Sequence, residues 1–216
     1  MAQRHEEHVC GSCGASTPRW MGRCPGCGGW GTLSEAVASR CGDGTDAAGP
    51  PPVRASELVQ EPPVERLGTG FSELDRVLGG GLVPGSAVLL GGEPGVGKST
   101  LMLQAADRLA ATVPVLYVGA EESLAQVARR ARRLGASAAE LRLLAETELG
   151  RVVVAAERAA PRVLLVDSVQ AVRDGSLAAA AGSVAQVRRV ADVLVDASRR
   201  CGWATWMVGH VTKDGS

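Results

Sequence analysis

An apolar run, Ala87-Val-Leu-Leu90, and a helical run, Leu101-Met-Leu-Gln-Ala105, bracket a segment made of Gly92, Glu93, Pro94, Gly95, Val96, Gly97, Lys98, Ser99 and Thr100. Its first eight residues fit G-x4-G-K-[ST] without a mismatch, in the strand–loop–helix setting that the pattern requires. Glycines at 92, 95 and 97 let the backbone wrap a phosphate closely with its N–H groups pointing inward, and the helix N-terminus adds partial positive charge. Lys98 offers a compact cation to the β- and γ-phosphates and the Ser99 hydroxyl completes a magnesium shell, so Gly92 to Thr100 reads as an ATP- and Mg2+-binding loop. Composition sharpens this point: of 23 basic residues only Lys98 and Lys213 are lysine. A point charge suits a phosphate better here than the planar fork of arginine, which the chain uses everywhere else.

The loop heads an alternation of strand-like and helical runs. Ala87–Leu90, Val115–Val118, Leu141–Leu144, Val163–Val166 and Ala204–Val208 are short and several are continuously apolar, as in parallel strands covered on both faces. Leu124, Val127, Ala128 and Ala131 follow i, i+3, i+4, i+7 spacing; so do Leu149, Val152, Val153 and Ala156; Val187, Ala191 and Leu194 mark a third, longer helix. A short helix is expected after Ser72, with Leu74, Val77 and Leu78 on one face. The fold class is α/β with a parallel sheet.

A magnesium-side carboxylate should end a later apolar strand, and Asp167, after Val163-Leu-Leu-Val166, is the Walker B candidate. Hydrolysis also needs a group to orient water. Glu121 and Glu122 follow the strand at Val115–Val118 on the ligand-facing edge; either carboxylate could polarise water, and Glu122 could equally cap a helix N-terminus. His210 ends the last strand on the same edge, either as a sensor of the γ-phosphate or as a surface histidine.

Four of six cysteines form two C-x2-C knuckles, Cys10/Cys13 and Cys24/Cys27, separated by ten residues, which is a zinc-ribbon pattern rather than a disulfide frame. Gly14 and Gly28, after each second cysteine, suit positive φ. Four thiolates fill the shell, so the Zn2+ is structural, with His5 and His8 as solvated neighbours. Roughly 30 residues bury too little apolar surface to fold alone, and metal supplies the deficit. Cys41 reads as a linker thiol and Cys201 as a buried small hydrophobe.

The domain plan is therefore a ribbon at 1–34, a flexible Gly/Pro-rich linker without helical or strand period at 35–63, and a P-loop core at 64–216. Zero net charge excludes a generally polybasic protein. No apolar run reaches the ~18 residues of a membrane span, and the first residues lack a secretory signal, so a soluble, cytoplasmic protein with no membrane partner is expected.

In combination, Cys10–Cys27 with Arg19-Trp20 between the knuckles, Thr69-Gly-Phe-Ser-Glu-Leu-Asp-Arg-Val-Leu-Gly-Gly-Gly81, the P-loop, Gly119-Ala-Glu-Glu-Ser123, Gly182-Ser-Val-Ala-Gln-Val187 and Val208-Gly-His-Val-Thr-Lys-Asp-Gly-Ser216 resemble the bacterial RadA (Sms) family of RecA-like ATPases. The resemblance runs over almost the whole chain except the linker. It implies a RecA-like P-loop core and a DNA-dependent ATPase of recombinational repair that promotes branch migration as a homo-hexamer, with single-stranded or branched DNA and RecA filaments as partners. It implies Cys10, Cys13, Cys24 and Cys27 as zinc ligands, Asp167 as the Walker B acid, Glu121 rather than Glu122 as the water-activating group, His210 as the link from γ-phosphate to a DNA-binding loop, and Lys213 on that loop. Family members continue past the position of Ser216 with a K-N-R-F-G motif, which contributes to the ATPase site between subunits, and a Lon-protease-like domain; the expectation is of a fragment, truncated within the ATPase core.

Two other functions fit parts of the pattern: a zinc-ribbon adaptor whose P-loop holds nucleotide without turnover, and a P-loop phosphotransferase of the KaiC kind, against which the ribbon argues. DNA binding is only weakly legible in the residues themselves. Arg129, Arg130, Arg132 and Arg133 read as a solvated face opposite an apolar stripe, and Arg188–Asp192 and Asp196–Arg200 as surface pairs. Trp20 and Trp30, beside Arg19 and Arg23, either stack on single-stranded bases or cover the small zinc core.

Overall fold

Strict alternation along Glu7–Cys10 (β1) turns His8 and Cys10 inward together, and this strand organises the first unit. The computed structural model describes residues 7–11, 13–36, 52–58 and 64–210. The chain divides into two compact units, Met1–Val64 and Glu65–Ser216. In the first, β1 pairs antiparallel with Ser16–Thr17 (β2) and with Leu33–Ala36 (β3), in the order β2-β1-β3. Cys10, Cys24 and Leu33 form its small buried cluster. His8 is buried rather than solvated, because strand alternation places it on the side of Cys10. Ala55–Leu58 forms a short helix (α1) where no period was expected, while linker residues 37–51 and 59–63, with Cys41 among them, lie outside the described residues, as does His5.

The second unit is a five-stranded sheet flanked by helices. Its elements are Ser72–Val77 (α2), Ala87–Gly92 (β4), Lys98–Ala110 (α3), Val115–Gly119 (β5), Leu124–Arg133 (α4), Leu141–Leu144 (β6), Leu149–Ala159 (α5), Val163–Asp167 (β7), Val184–Cys201 (α6) and Ala204–His210 (β8). All neighbouring strands are parallel, in the order β4-β8-β7-β5-β6. The two strands that lead into the acidic residues, β5 and β7, are buried along their whole length, which explains their continuous apolar sequence.

Each face of the sheet has its own core. On one, Met102, Leu103, Ala106 and Leu109 of α3 and Val127 of α4 pack on Tyr117, Leu165 and Trp206. On the other, Val152 and Ala156 of α5 and Val190, Leu194 and Ala197 of α6 pack on Val118, Val166 and Met207. Burying each large side chain contributes ~1.5–3 kcal/mol. The segment Thr69–Gly81 docks on α3: Thr69 donates its N–H and hydroxyl to Asp75 Oδ1 at 2.7 and 2.8 Å, and Arg108 stacks 3.8 Å over Phe71 while donating to the Gly70 carbonyl.

Several side chains depart from the expected pattern. Val77 is 74% exposed, since α2 ends there and packs through Leu74 and Leu78. On α4 the buried stripe is Val127 and Ala131, whereas Leu124 and Ala128 face solvent. Cys201, the last residue of α6, lies beyond the stripe ending at Ala197 and Ser198 and is exposed, not buried. Arg200 pairs with Asp196 at 3.4 Å, and it is Arg189 that finds a firm carboxylate, Asp174, at 2.8 Å. Bonds from Ser176 and then Arg189 hold the Asp174 carboxyl down at about 2.

The loop between β7 and α6 is pinned by a single buried amide. Gln186 Nε2 lies within 3.2 Å of the carbonyls of Asp174, Leu177 and Ala179, and its Oε1 accepts from the Asp174 N–H at 2.9 Å. Gln186→Leu keeps the volume and strands these groups, so unfolding free energy in urea should fall by about 2–3 kcal/mol and the loop should become the first site of limited proteolysis.

Candidate functional site

Parallel strands deliver their C-terminal ends to one edge, and the register shows which residues meet there. Gly92 of β4 pairs with His210 of β8, and Gly119 of β5 with Asp167 of β7. The loop leaving β4 exposes Glu93 to Gly97 and enters α3 through Gly97, whose φ of 98° is left-handed backbone that only glycine adopts without strain. A Cβ on Gly92 would come within 3.5 Å of the Lys98 and Val96 side chains, while at Gly95 and Gly97 it would meet nothing within 4 Å. The loop is a cradle with open space above its glycines, which fits a polyphosphate. Lys98 is buried beneath it, donating to the carbonyls of Gly92 and Glu93, each at 2.8 Å.

Ser99 Oγ, on the first turn of α3, donates to Asp167 Oδ1 at 3.0 Å across 68 positions of sequence. Two hard oxygens side by side next to a phosphate cradle fit a magnesium ion. The other Asp167 oxygen accepts from the Tyr117 hydroxyl at 2.5 Å. Burial first, and then the charge and hydrogen bond of Asp167, push the Tyr117 phenol well above its ordinary range.

The two glutamates have different surroundings. Glu121 Oε1 accepts from Ser168 Oγ and lies 3.3 Å from His210 Nε2, and Gln170 Nε2 donates to the His210 carbonyl at 3.0 Å. Glu122 is ion-paired with Arg130. It does not cap α4: Ser123 does, in a capping box with Gln126. The structure thus gathers Lys98, Ser99, Asp167, Glu121 and His210 at one edge, whereas Lys213 lies outside the described residues.

Sequence reasoning passed over Tyr117, Arg130 and Ser168. Tyr117 is the chain's one tyrosine, two residues before the position paired with Asp167, which was a usable signal. Arg130 was hidden in an arginine run assigned to solvent; its place three residues after Val127 puts it beside the buried stripe.

In the ribbon, the four sulfurs lie within 4.8 Å of one another. Cys10 and Cys27 Sγ are 3.7 Å apart and Cys13 and Cys24 Sγ 3.5 Å. These spacings are too long for disulfides and match the ~3.8 Å edge of a tetrahedron with ~2.3 Å metal–sulfur bonds. Gly14 and Gly28 have φ of 74° and 72°, and the Gly26 N–H donates to Cys24 Sγ at 3.3 Å. The Ala15 N–H bond draws the Cys13 thiol down, but burial and the neighbouring thiols outweigh it and push the group up to about 12. Trp20 and Trp30 do not cover this core: they are 63% and 78% exposed.

A P-loop cradle at the edge of a parallel sheet, with a serine and an acid converging beside it, is the arrangement of P-loop domains in general, and the family comparison narrows it: the chain belongs to the AAA domain family, whose model matches residues 52–216. A second model, the rubredoxin metal binding domain, matches residues 8–35 and covers the four cysteines. The chain is a homologue of the DNA repair protein RadA. It is 45% identical to that of Pseudomonas aeruginosa over 100% of this chain and 49% of the relative, and 45% identical to that of Salmonella typhimurium over 96% and 47%. Against that of Bacillus subtilis the identity is 40%, over 100% and 49%. The chain spans about half the length of the curated relatives it matches. Among the described residues no helix is long and apolar enough to cross a membrane.

The sulfur geometry generates a direct test. Cobalt(II) should bind one per chain with the intense thiolate-to-metal bands of a tetrahedral tetrathiolate site, and Cys24→Ser should weaken or abolish those bands; a chelator should unfold the ribbon, seen as loss of its amide protection, while leaving the core unfolding transition in place.

Proposed function

We propose that this chain is the ribbon and nucleotide-binding part of a DNA repair ATPase: it binds ATP with magnesium at Gly92 to Thr100 and hydrolyses it in response to single-stranded or branched DNA. The observation that carries the reading is the convergence of Lys98, Ser99, Asp167, Glu121 and His210 at the C-terminal edge of one sheet. In this reading Lys98 exchanges its loop carbonyls for phosphate oxygens. Ser99 and Asp167 hold the magnesium, which supplies charge to the β- and γ-phosphates when bound. Glu121 orients water, because Glu122 is committed to Arg130 and Glu121 keeps its second oxygen clear of those bonds. His210, bonded to Glu121 and next to Gly92, couples the γ-phosphate position to residues after β8.

The relatives' name, DNA repair protein, supports DNA as the substrate. The ribbon's metal is taken as Zn2+, for which four thiolates are the usual set. Hexamer assembly, RecA filaments as partner, branch migration and a cytoplasmic setting belong to the same proposal. The exposed Trp20 and Trp30, with exposed Arg19 and Arg23, offer stacking faces and cations to unpaired bases.

Lys98→Ala should reduce ATP affinity by at least about a hundredfold, since a buried charge-assisted contact is lost; unchanged affinity overturns the phosphate assignment. Glu121→Gln should keep ATP binding and abolish phosphate release, whereas Glu122→Gln should retain phosphate release at a lower rate, because Arg130 loses its ion pair. Nucleotide binding with no phosphate release, with or without DNA, would instead support an adaptor that uses nucleotide as a switch. Single-stranded DNA should quench tryptophan fluorescence, and Trp20→Ala and Trp30→Ala should each weaken binding about tenfold.

A further inference from the structure

Arg130 is the member of its arginine run that turns inward. Its side chain is 19% exposed, while Arg129, Arg132 and Arg133 are exposed. One guanidinium nitrogen is ion-paired with Glu122, and another lies 3.8 Å from Asp167 Oδ2. Together with Tyr117, Glu122, Ser99 and Asp167 it walls a cavity of about 30 Å³, room for about one water. The two oxygens of Asp167 are therefore unequal. Oδ2 accepts from Tyr117 at 2.5 Å and faces the guanidinium. Oδ1 is turned to Ser99, on the phosphate side. A planar fork can address two carboxylates at once, which an ammonium group cannot do with the same geometry.

We infer that Arg130, braced by Glu122 and working with Tyr117, is a positioning residue for the metal-side carboxylate: the pair holds Oδ2 of Asp167 back so that Oδ1 alone is presented beside Ser99. The inference rests on the reading of Asp167 as a magnesium ligand. Charge and position give Arg130 effects of opposite sign. A cation beside a metal ligand repels the metal, so removing it for its charge alone would tighten metal binding. Removing a group that aims the carboxylate weakens it.

The experiment measures affinity for a fluorescent ATP analogue with and without magnesium, and Mn2+ binding to the nucleotide complex by electron paramagnetic resonance, for the whole chain and for Arg130→Gln, Arg130→Lys and Tyr117→Phe. Without divalent metal all four should bind nucleotide alike. The magnesium-dependent gain in affinity should fall about tenfold in Arg130→Gln, and by a similar factor in Arg130→Lys, which keeps the charge but not the fork; in Tyr117→Phe it should fall severalfold. Half-saturating Mn2+ should rise in the same order. Metal binding that is unchanged or tighter in Arg130→Gln overturns the inference. If the arginine variants do not fold by circular dichroism, Tyr117→Phe decides, and an unaltered metal-dependent gain there overturns it. An unsubstituted chain that shows no metal-dependent gain at all overturns the nucleotide-site reading instead, before any variant is compared.

Discussion

The second unit turns on one carboxylate. Asp167 sits at the end of a fully buried strand and receives Ser99 from the helix after the P-loop and Tyr117 from the adjacent strand. These contacts join three separate stretches of chain at a buried carboxylate, where losing a partner leaves a polar group short of a hydrogen bond. A buried carboxylate with both oxygens engaged is held in one orientation, with Oδ1 turned to Ser99 and Oδ2 to Tyr117. The parallel sheet makes this possible, because it brings the ends of β4, β5, β7 and β8 to the same edge.

The ribbon rests on a different physical basis. Its apolar cluster is small, and the exposure of both indoles shows that aromatic cover does not compensate. What orders it is the approach of four sulfurs, held by glycine turns and by strand pairing on either side of β1. The two units thus depend on unrelated arrangements, a four-sulfur cluster in one and layered burial in the other.

All five core strands were legible because their runs are short, largely apolar and bounded by polar or glycine-rich turns, although Arg142 interrupts β6 and Thr205 interrupts β8. β4 extends two residues further than its apolar run, since Gly91 and Gly92 carry no side chain to mark a period. The P-loop and the knuckles were legible because their chemistry needs fixed residue types at fixed spacing. What escaped was the four-residue α1 between prolines and the features that tertiary surroundings set: the inward turn of Arg130, the burial of His8 and the exposure of Cys201. A helical period locates an apolar stripe to within one residue's rotation, and Arg130 lies at that margin; Cys201 is in phase with Val190, Leu194 and Ala197 but stands at the helix end, past the residues that α6 buries. The residues alone left Glu121 and Glu122 open, and only the family resemblance favoured Glu121, because adjacent carboxylates differ only in what folds against them.

Tyr117 carries one more consequence. Because the chain holds a single tyrosine and that residue forms the floor of the acidic site, its tyrosinate absorbance is an optical signal from one known place. With the phenol buried against Asp167, the band should stay silent through mild alkali and emerge only when the floor opens. The molecule thus contains its own spectroscopic label, at the position where nucleotide chemistry would be felt.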